Sequence, residues 1–130
     1  MKKLLVICLI IGFASCNSQE KKATTFEDVT VEQFQKLIGK DGAQLVDVRT
    51  PGEYENGHLK NAQLINYMED NFKAVAFKDL DKSKPVLIYC ASGGRSAKSA
   101  KLYKDAGFKK VYNLLGGFRA WKAKDLEFEK

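Results

Sequence analysis

The stretch that most constrains this chain is Val86-Leu87-Ile88-Tyr89, an apolar run of four residues between Pro85 and Cys90. A short strand with no polar position belongs in the centre of a parallel sheet, where both faces are covered. After it comes a small-residue loop, Cys90-Ala91-Ser92-Gly93-Gly94-Arg95-Ser96, and a helix is expected from Ser96 to about Ala106. A buried strand, a tight loop and a helix N-terminus together aim backbone N–H groups into one small volume that favours negative charge. A thiol placed there titrates low, and the thiolate is its reactive form.

The surrounding pattern supports a sheet with helices between its strands. Thr30-Val31-Glu32-Gln33 has the form of a capping box, and Val31, Phe34, Leu37 and Ile38 then share one helical face, ended by Gly39 to Gly42. Gln44 to Val48 reads as a strand. Thr50-Pro51-Gly52-Glu53 opens a short helix, with proline at its first position and Glu53 reaching back to the cap, and Asn56-Gly57 stops it. Gln63 to Asn66 is a second short strand. A helix is expected from Tyr67 to about Asp79, with Met68, Phe72, Val75 and Ala76 or Phe77 turned inward. Lys98, Lys101 and Lys104 share the outer face of the helix after Cys90. Lys110 to Leu114 is a further strand, and Gly116-Gly117 hinges into a closing helix from Phe118 to about Lys124. Strands and helices that alternate make an α/β fold with a parallel sheet. Ligands in such sheets bind at the carboxyl ends of the strands, which is where Cys90 stands.

The first residues read differently. Met1-Lys2-Lys3 is a basic start, Leu4 to Ile11 is apolar, and Gly12 to Ser15 ends in small residues before Cys16. The run falls short of the roughly 20 apolar residues that span a bilayer, so residues 1–15 are expected to be a signal peptide. Phe13-Ala14-Ser15-Cys16 resembles the lipobox of bacterial lipoproteins, which implies lipid on Cys16 as the mature N-terminus. Ordinary secretory cleavage near Ala14 or Ser15 is the alternative. Residues 16–25 are polar and are expected to form a flexible tether to a domain over residues 26–130. The implied location is the bacterial cell envelope, lipid-anchored and facing the periplasm, with Asn17 favouring the outer membrane. Loss of the leader removes Lys2 and Lys3 and lowers the net charge from +6 to +4. That surplus is spread along the chain, which excludes a nucleic-acid partner. Of the three cysteines, Cys8 leaves with the leader and Cys16 is blocked by lipid. Cys90 is then the only free thiol, in a compartment where cysteines usually pair. It is either a small core residue or a reactive group.

Four segments in order carry a resemblance. They are Asp47-Val48-Arg49 after the first core strand; Glu53-Tyr54 with Gly57-His58-Leu59 and Ala62; Cys90 with Gly93, Arg95 and Ser96; and Gly116-Gly117-Phe118 with Trp121. Together they resemble the rhodanese-like domain family over residues 26–124. The resemblance implies a parallel sheet of about five strands flanked by helices on both faces. It also implies sulfur transfer through a persulfide on Cys90, with thiosulfate or a persulfide as donor and a thiol or cyanide as acceptor. A protein acceptor is a further option. The backbone N–H groups of Ala91, Ser92, Gly93, Gly94, Arg95 and Ser96 are expected to hold the persulfide or the donor's oxyanion. Cys90 to Arg95 spans six residues. The related phosphatases and arsenate reductases have a loop one residue longer, so the short loop favours sulfur as cargo.

Several roles stay open at this point. Arg95 either contacts substrate or ties the loop to Asp47 or Glu53. Asp47 and Arg49 either line the pocket or brace it. His58 is expected to make a structural hydrogen bond rather than act as a base, and Trp121 to be core. One histidine and one free thiol make no metal site, and no cofactor is expected. Besides an enzyme, the chain could be a regulatory binding module without turnover, or a persulfide carrier for one dedicated partner.

Overall fold

The computed structural model describes residues 24–130, together with Gly12. The expected signal peptide, the lipid site Cys16 and the tether up to residue 23 lie outside the described residues. The elements in chain order are β1 (Thr25–Val29), α1 (Val31–Leu37), β2 (Gln44–Asp47), α2 (Pro51–Glu55) and β3 (Gln63–Leu64). They continue with α3 (Phe72–Asp79), β4 (Val86–Tyr89), α4 (Gly94–Asp105), β5 (Lys110–Leu114) and α5 (Gly117–Ala123). The five strands form one parallel sheet in the order β1-β5-β4-β2-β3. The all-apolar strand β4 is central, as its composition requires, and all four of its residues are fully buried.

Its side chains divide between two cores. Val86 and Ile88 face a layer with Phe72 and Ala76 of α3 and Ala100 and Tyr103 of α4. Leu87 and Tyr89 face Val31 and Phe34 of α1 and Phe118 and Trp121 of α5. This is the period-two alternation of a strand with helices on both faces. Each such side chain contributes about 1.5–3 kcal/mol on burial, which anchors the strand that leads into Cys90.

Local signals place two of the helix starts. Thr30 accepts from the Gln33 N–H while the Gln33 side chain accepts from the Thr30 N–H. Thr50 and Glu53 repeat the arrangement on α2. The sequence expectation departs from the structure at three places. Thr25, expected to end the tether, instead opens an edge strand that runs to Val29. Glu27-Asp28 hides the strand pattern, and only its ladder to β5 reveals it. Helix α3 starts at Phe72, not Tyr67. The Tyr67 N–H is taken by the Val48 carbonyl and the Met68 N–H by the Asn66 side chain, an Asx turn that competes with helix. Met68 is therefore 65% exposed rather than turned inward. Finally, α4 begins at Gly94, so Arg95 lies in the helix's first turn rather than in the loop.

Candidate active site

Cys90 follows β4 at the carboxyl edge of the sheet and is 1% exposed. The backbone turns back on itself at Gly93, whose φ of +107° is one that side chains disfavour. That turn brings the Gly93 N–H to donate to the Cys90 Sγ at 3.1 Å. From the first turn of α4, the buried Ser96 hydroxyl lies 3.3 Å from the same sulfur and 3.2 Å from the Gly93 carbonyl. A hydroxyl has one proton, so it donates to one of these at a time, and a charged sulfur is the stronger acceptor. Burial pushes the Cys90 thiol up, but donation from the Ser96 hydroxyl and from the N–H groups of Ser96, Gly93 and Ser92 outweighs it. The thiol sits below its ordinary value.

The other side of the loop is held by α5. The Phe118 N–H donates to the Cys90 carbonyl at 2.8 Å and the Arg119 N–H to the Ala91 carbonyl at 3.1 Å. Two orphan donors of a helix start thus satisfy the first two carbonyls of the loop. Gly117 lies directly against them, and a Cβ there would stand 2.5 Å from the Cys90 oxygen and 2.7 Å from the Ala91 carbonyl carbon.

Two arginines tie together the elements around the loop, and each has its own carboxylate. Arg95 makes two parallel bonds to Glu53, Nη1 to Oε2 and Nη2 to Oε1, both at 2.8 Å. Of the two ties left open by the sequence, Glu53 is the one formed. Asp47 is already taken: Arg49 donates to it from Nε at 3.0 and 3.1 Å, from Nη2 at 2.7 Å and from its backbone N–H at 2.9 Å. Arg49 also donates to the Gly57 carbonyl at 2.6 Å and stacks its guanidinium 4.4 Å from the Phe118 ring. With Asp47 fully buried and Arg49 4% exposed, this pair joins β2, the end of α2 and α5 as a brace and does not open to solvent.

The remaining sequence-predicted residues fall as follows. Ala91 is half-buried and offers its carbonyl to α5, Ser92 and Gly94 are exposed, and Gly93 and Ser96 reach the sulfur. His58 stacks on Tyr54 at 3.7 Å, and its Nδ1 donates to the Tyr54 carbonyl at 2.9 Å, which leaves it a structural residue. Trp121 is core, with its indole N–H on the Glu127 carbonyl. Sequence reasoning missed the clamp by Gly117, Phe118 and Arg119. The adjacent glycines Gly116-Gly117 are its available signal, and by themselves they suggest only a hinge. Also missed was the Ser96 hydroxyl as a donor to sulfur. Among the described residues, no cluster of His, Cys, Asp and Glu could hold a metal ion.

The comparisons with known proteins agree with this fold. The family model for the rhodanese-like domain matches residues 30–124. The uncharacterized protein YqhL of Bacillus subtilis is 32% identical over 129 residues, covering 95% of this chain and 96% of its own. The thiosulfate sulfurtransferase GlpE of Coxiella burnetii is 40% identical over 91 residues, covering 68% of this chain and 79% of its own. Among solved structures, a rhodanese-like domain protein from Staphylococcus aureus superposes with a TM-score of 0.66 at 31% identity, covering 80% of this chain and 99% of that one. With its thiol-bearing loop between β4 and α4 and its five-stranded parallel sheet, the chain belongs to the rhodanese-like domain family.

Proposed function

We propose that this protein is a sulfurtransferase that carries a sulfane sulfur as a Cys90 persulfide. The observation that carries the reading is the convergence of the Gly93 N–H and the Ser96 hydroxyl on a buried Sγ, at 3.1 and 3.3 Å. In the first half-reaction the Cys90 thiolate attacks the outer sulfur of thiosulfate, or the sulfane sulfur of a persulfide. Its electron pair forms the new S–S bond. The donor's S–S bond breaks, and sulfite or a thiolate leaves with that pair. The persulfide anion then lies where the loop N–H groups can receive its charge. In the second half-reaction an acceptor thiolate or cyanide attacks the terminal sulfur, the S–S bond breaks toward Cys90, and its thiolate returns. The covalent intermediate makes the kinetics ping-pong. Similarity to proteins named thiosulfate sulfurtransferase supports this class, as does the six-residue span from Cys90 to Arg95.

The same proposal includes the N-terminal residues: a leader removed at Cys16, lipid on that cysteine, and the domain held at the cell-envelope membrane. Intact-mass measurement of the mature protein after thiosulfate treatment tests both parts. A lipidated N-terminus and the gain of one sulfur atom on Cys90 are expected, with no sulfur gain in Cys90→Ser. No sulfur gain, together with no transfer to cyanide or a thiol, rules the enzyme reading out. Slow turnover with small thiols but fast transfer to one envelope protein would assign a dedicated carrier instead.

A further inference from the structure

Both arginines beside the Cys90 loop are neutralised one to one. Arg49 is spent on Asp47 inside the fold, and Arg95 is spent on Glu53 in a two-bond fork. The loop residues between Cys90 and Arg95 carry no charge. Lys98 and Arg119 are exposed one turn further along α4 and in the first turn of α5, where solvent and salt screen them. A donor arriving at Sγ therefore meets backbone N–H groups and a hydroxyl, with no unpaired cation built into the loop.

Thiosulfate brings two negative charges into that small volume, whereas a persulfide R–S–S⁻ brings one. Backbone N–H groups suit one charge well. A dianion gains most from a full positive charge held close by. Arg95 is the group placed to supply it, from the same helical turn as the Ser96 hydroxyl that touches the sulfur, and Glu53 takes both of its prongs.

We propose that Glu53 sets donor selectivity: by occupying both prongs of the Arg95 fork, it tunes the loop for a singly charged persulfide donor over dianionic thiosulfate. This rests on the sulfurtransferase reading above and names the substrate class of that site. Glu53 is thus a specificity-determining residue that acts through Arg95. Its carboxylate has a second task, as acceptor for the Thr50 N–H in the α2 capping box. Glutamine meets that second task within this same fold, since Gln33 does so for Thr30 in α1. Glu53→Gln therefore keeps an acceptor for the cap and removes both the charge and one of the two oxygens that hold Arg95.

The test compares kcat/KM for thiosulfate with kcat/KM for cysteine persulfide, using one thiol acceptor throughout. The wild type is expected to favour the persulfide. Glu53→Gln is expected to shift the ratio toward thiosulfate about tenfold, the scale of one additional charge-assisted hydrogen bond. The shift should appear in the KM for thiosulfate, and the double variant Glu53→Gln/Arg95→Gln should abolish it. A merely structural role would lower both donors in parallel. Arg95→Lys gives an independent arm that leaves the cap untouched: a lysine cannot make the two-bond fork, so the ratio moves the same way by less. A ratio unchanged in Glu53→Gln and Arg95→Lys, or moved toward the persulfide, overturns the proposal. A wild type that takes sulfur from neither donor defeats the sulfurtransferase reading itself. A wild type that uses both donors, with a ratio blind to Glu53, defeats only the selectivity.

Discussion

Gly117 lies so close beneath the Cys90 carbonyl that a β-carbon on it would stand 2.5 Å from that oxygen. The neighbouring atoms are backbone, of the very loop that shapes the site, so they cannot swing aside as a flexible side chain would. Gly117 also has a φ of +58°, which costs any other residue extra strain. Gly117→Ala is expected to destabilise the domain by about 2–4 kcal/mol. It should also push Cys90 off its donors. Urea unfolding reads the first effect, and the rate of Cys90 alkylation at fixed pH reads the second, as a slowing. An alanine variant as stable and as reactive as the wild type would show that the α5 contact does not shape the loop.

The thiol of Cys90 is opposed by burial and lowered, on balance, by the Ser96 hydroxyl and the N–H groups of Ser96, Gly93 and Ser92. Because the thiolate is the nucleophile, reactivity rises as pH climbs through the pKa of the folded protein, and that rise falls below the range of an ordinary thiol. Ser96→Ala removes the hydroxyl donor and leaves the burial, so the midpoint moves up. The pH profile of iodoacetamide alkylation measures it. A midpoint that stays put or falls in Ser96→Ala would mean that the hydroxyl gives its proton to the Gly93 carbonyl instead.

Asp47 and Arg49 are buried together, with the arginine donating to both carboxylate oxygens. Removing one partner strands the other charge away from water. Asp47→Ala is expected to cost about 3–5 kcal/mol, measured by chemical denaturation. The double variant Asp47→Ala/Arg49→Leu should cost clearly less than the two single changes added together, because no orphan charge is left. Strict additivity would show that the pair does not act as a unit.

Hydrogen bonding from Arg95 holds the Glu53 carboxyl down to about 2 from an ordinary 4.5, and the Thr50 N–H and hydroxyl add to this against the effect of burial. A depressed carboxyl stabilises the fold once it is charged. Its contribution is therefore complete above about pH 4.5 and is lost as pH falls toward 2. The two side chains are 27% and 35% exposed, so water screens the pair and the loss amounts to about 1–2 kcal/mol. Acid titration of unfolding stability should show this limb in the wild type and a flatter one in Glu53→Gln. Identical acid limbs would place the acid sensitivity elsewhere.

Sequence alone determined what is local or compositional. Val86 to Tyr89 had to be a central strand, because four adjacent apolar side chains need cover on both faces. The two capping boxes were legible because donor and acceptor lie three residues apart. Cys90 at the strand end and the order of the four motif segments were legible along the chain, and the bland role of His58 followed from the family resemblance those segments carry.

Tertiary structure decided whatever depends on which distant groups meet. Competition for Asp47 gave Arg95 to Glu53, 42 residues away, since a carboxylate saturated by Arg49 has no room for a second fork. Strand β1 exists through its ladder to β5, which no local pattern encodes. Met68 stayed in solvent because the Asn66 side chain and the Val48 carbonyl took the backbone donors that a longer helix needed. The clamp of α5 on the loop exists only because folding brings two free N–H groups of one helix to two free carbonyls of another segment. Each of these is a choice among partners of similar local chemistry, and it is made by proximity in space, which a linear pattern does not contain.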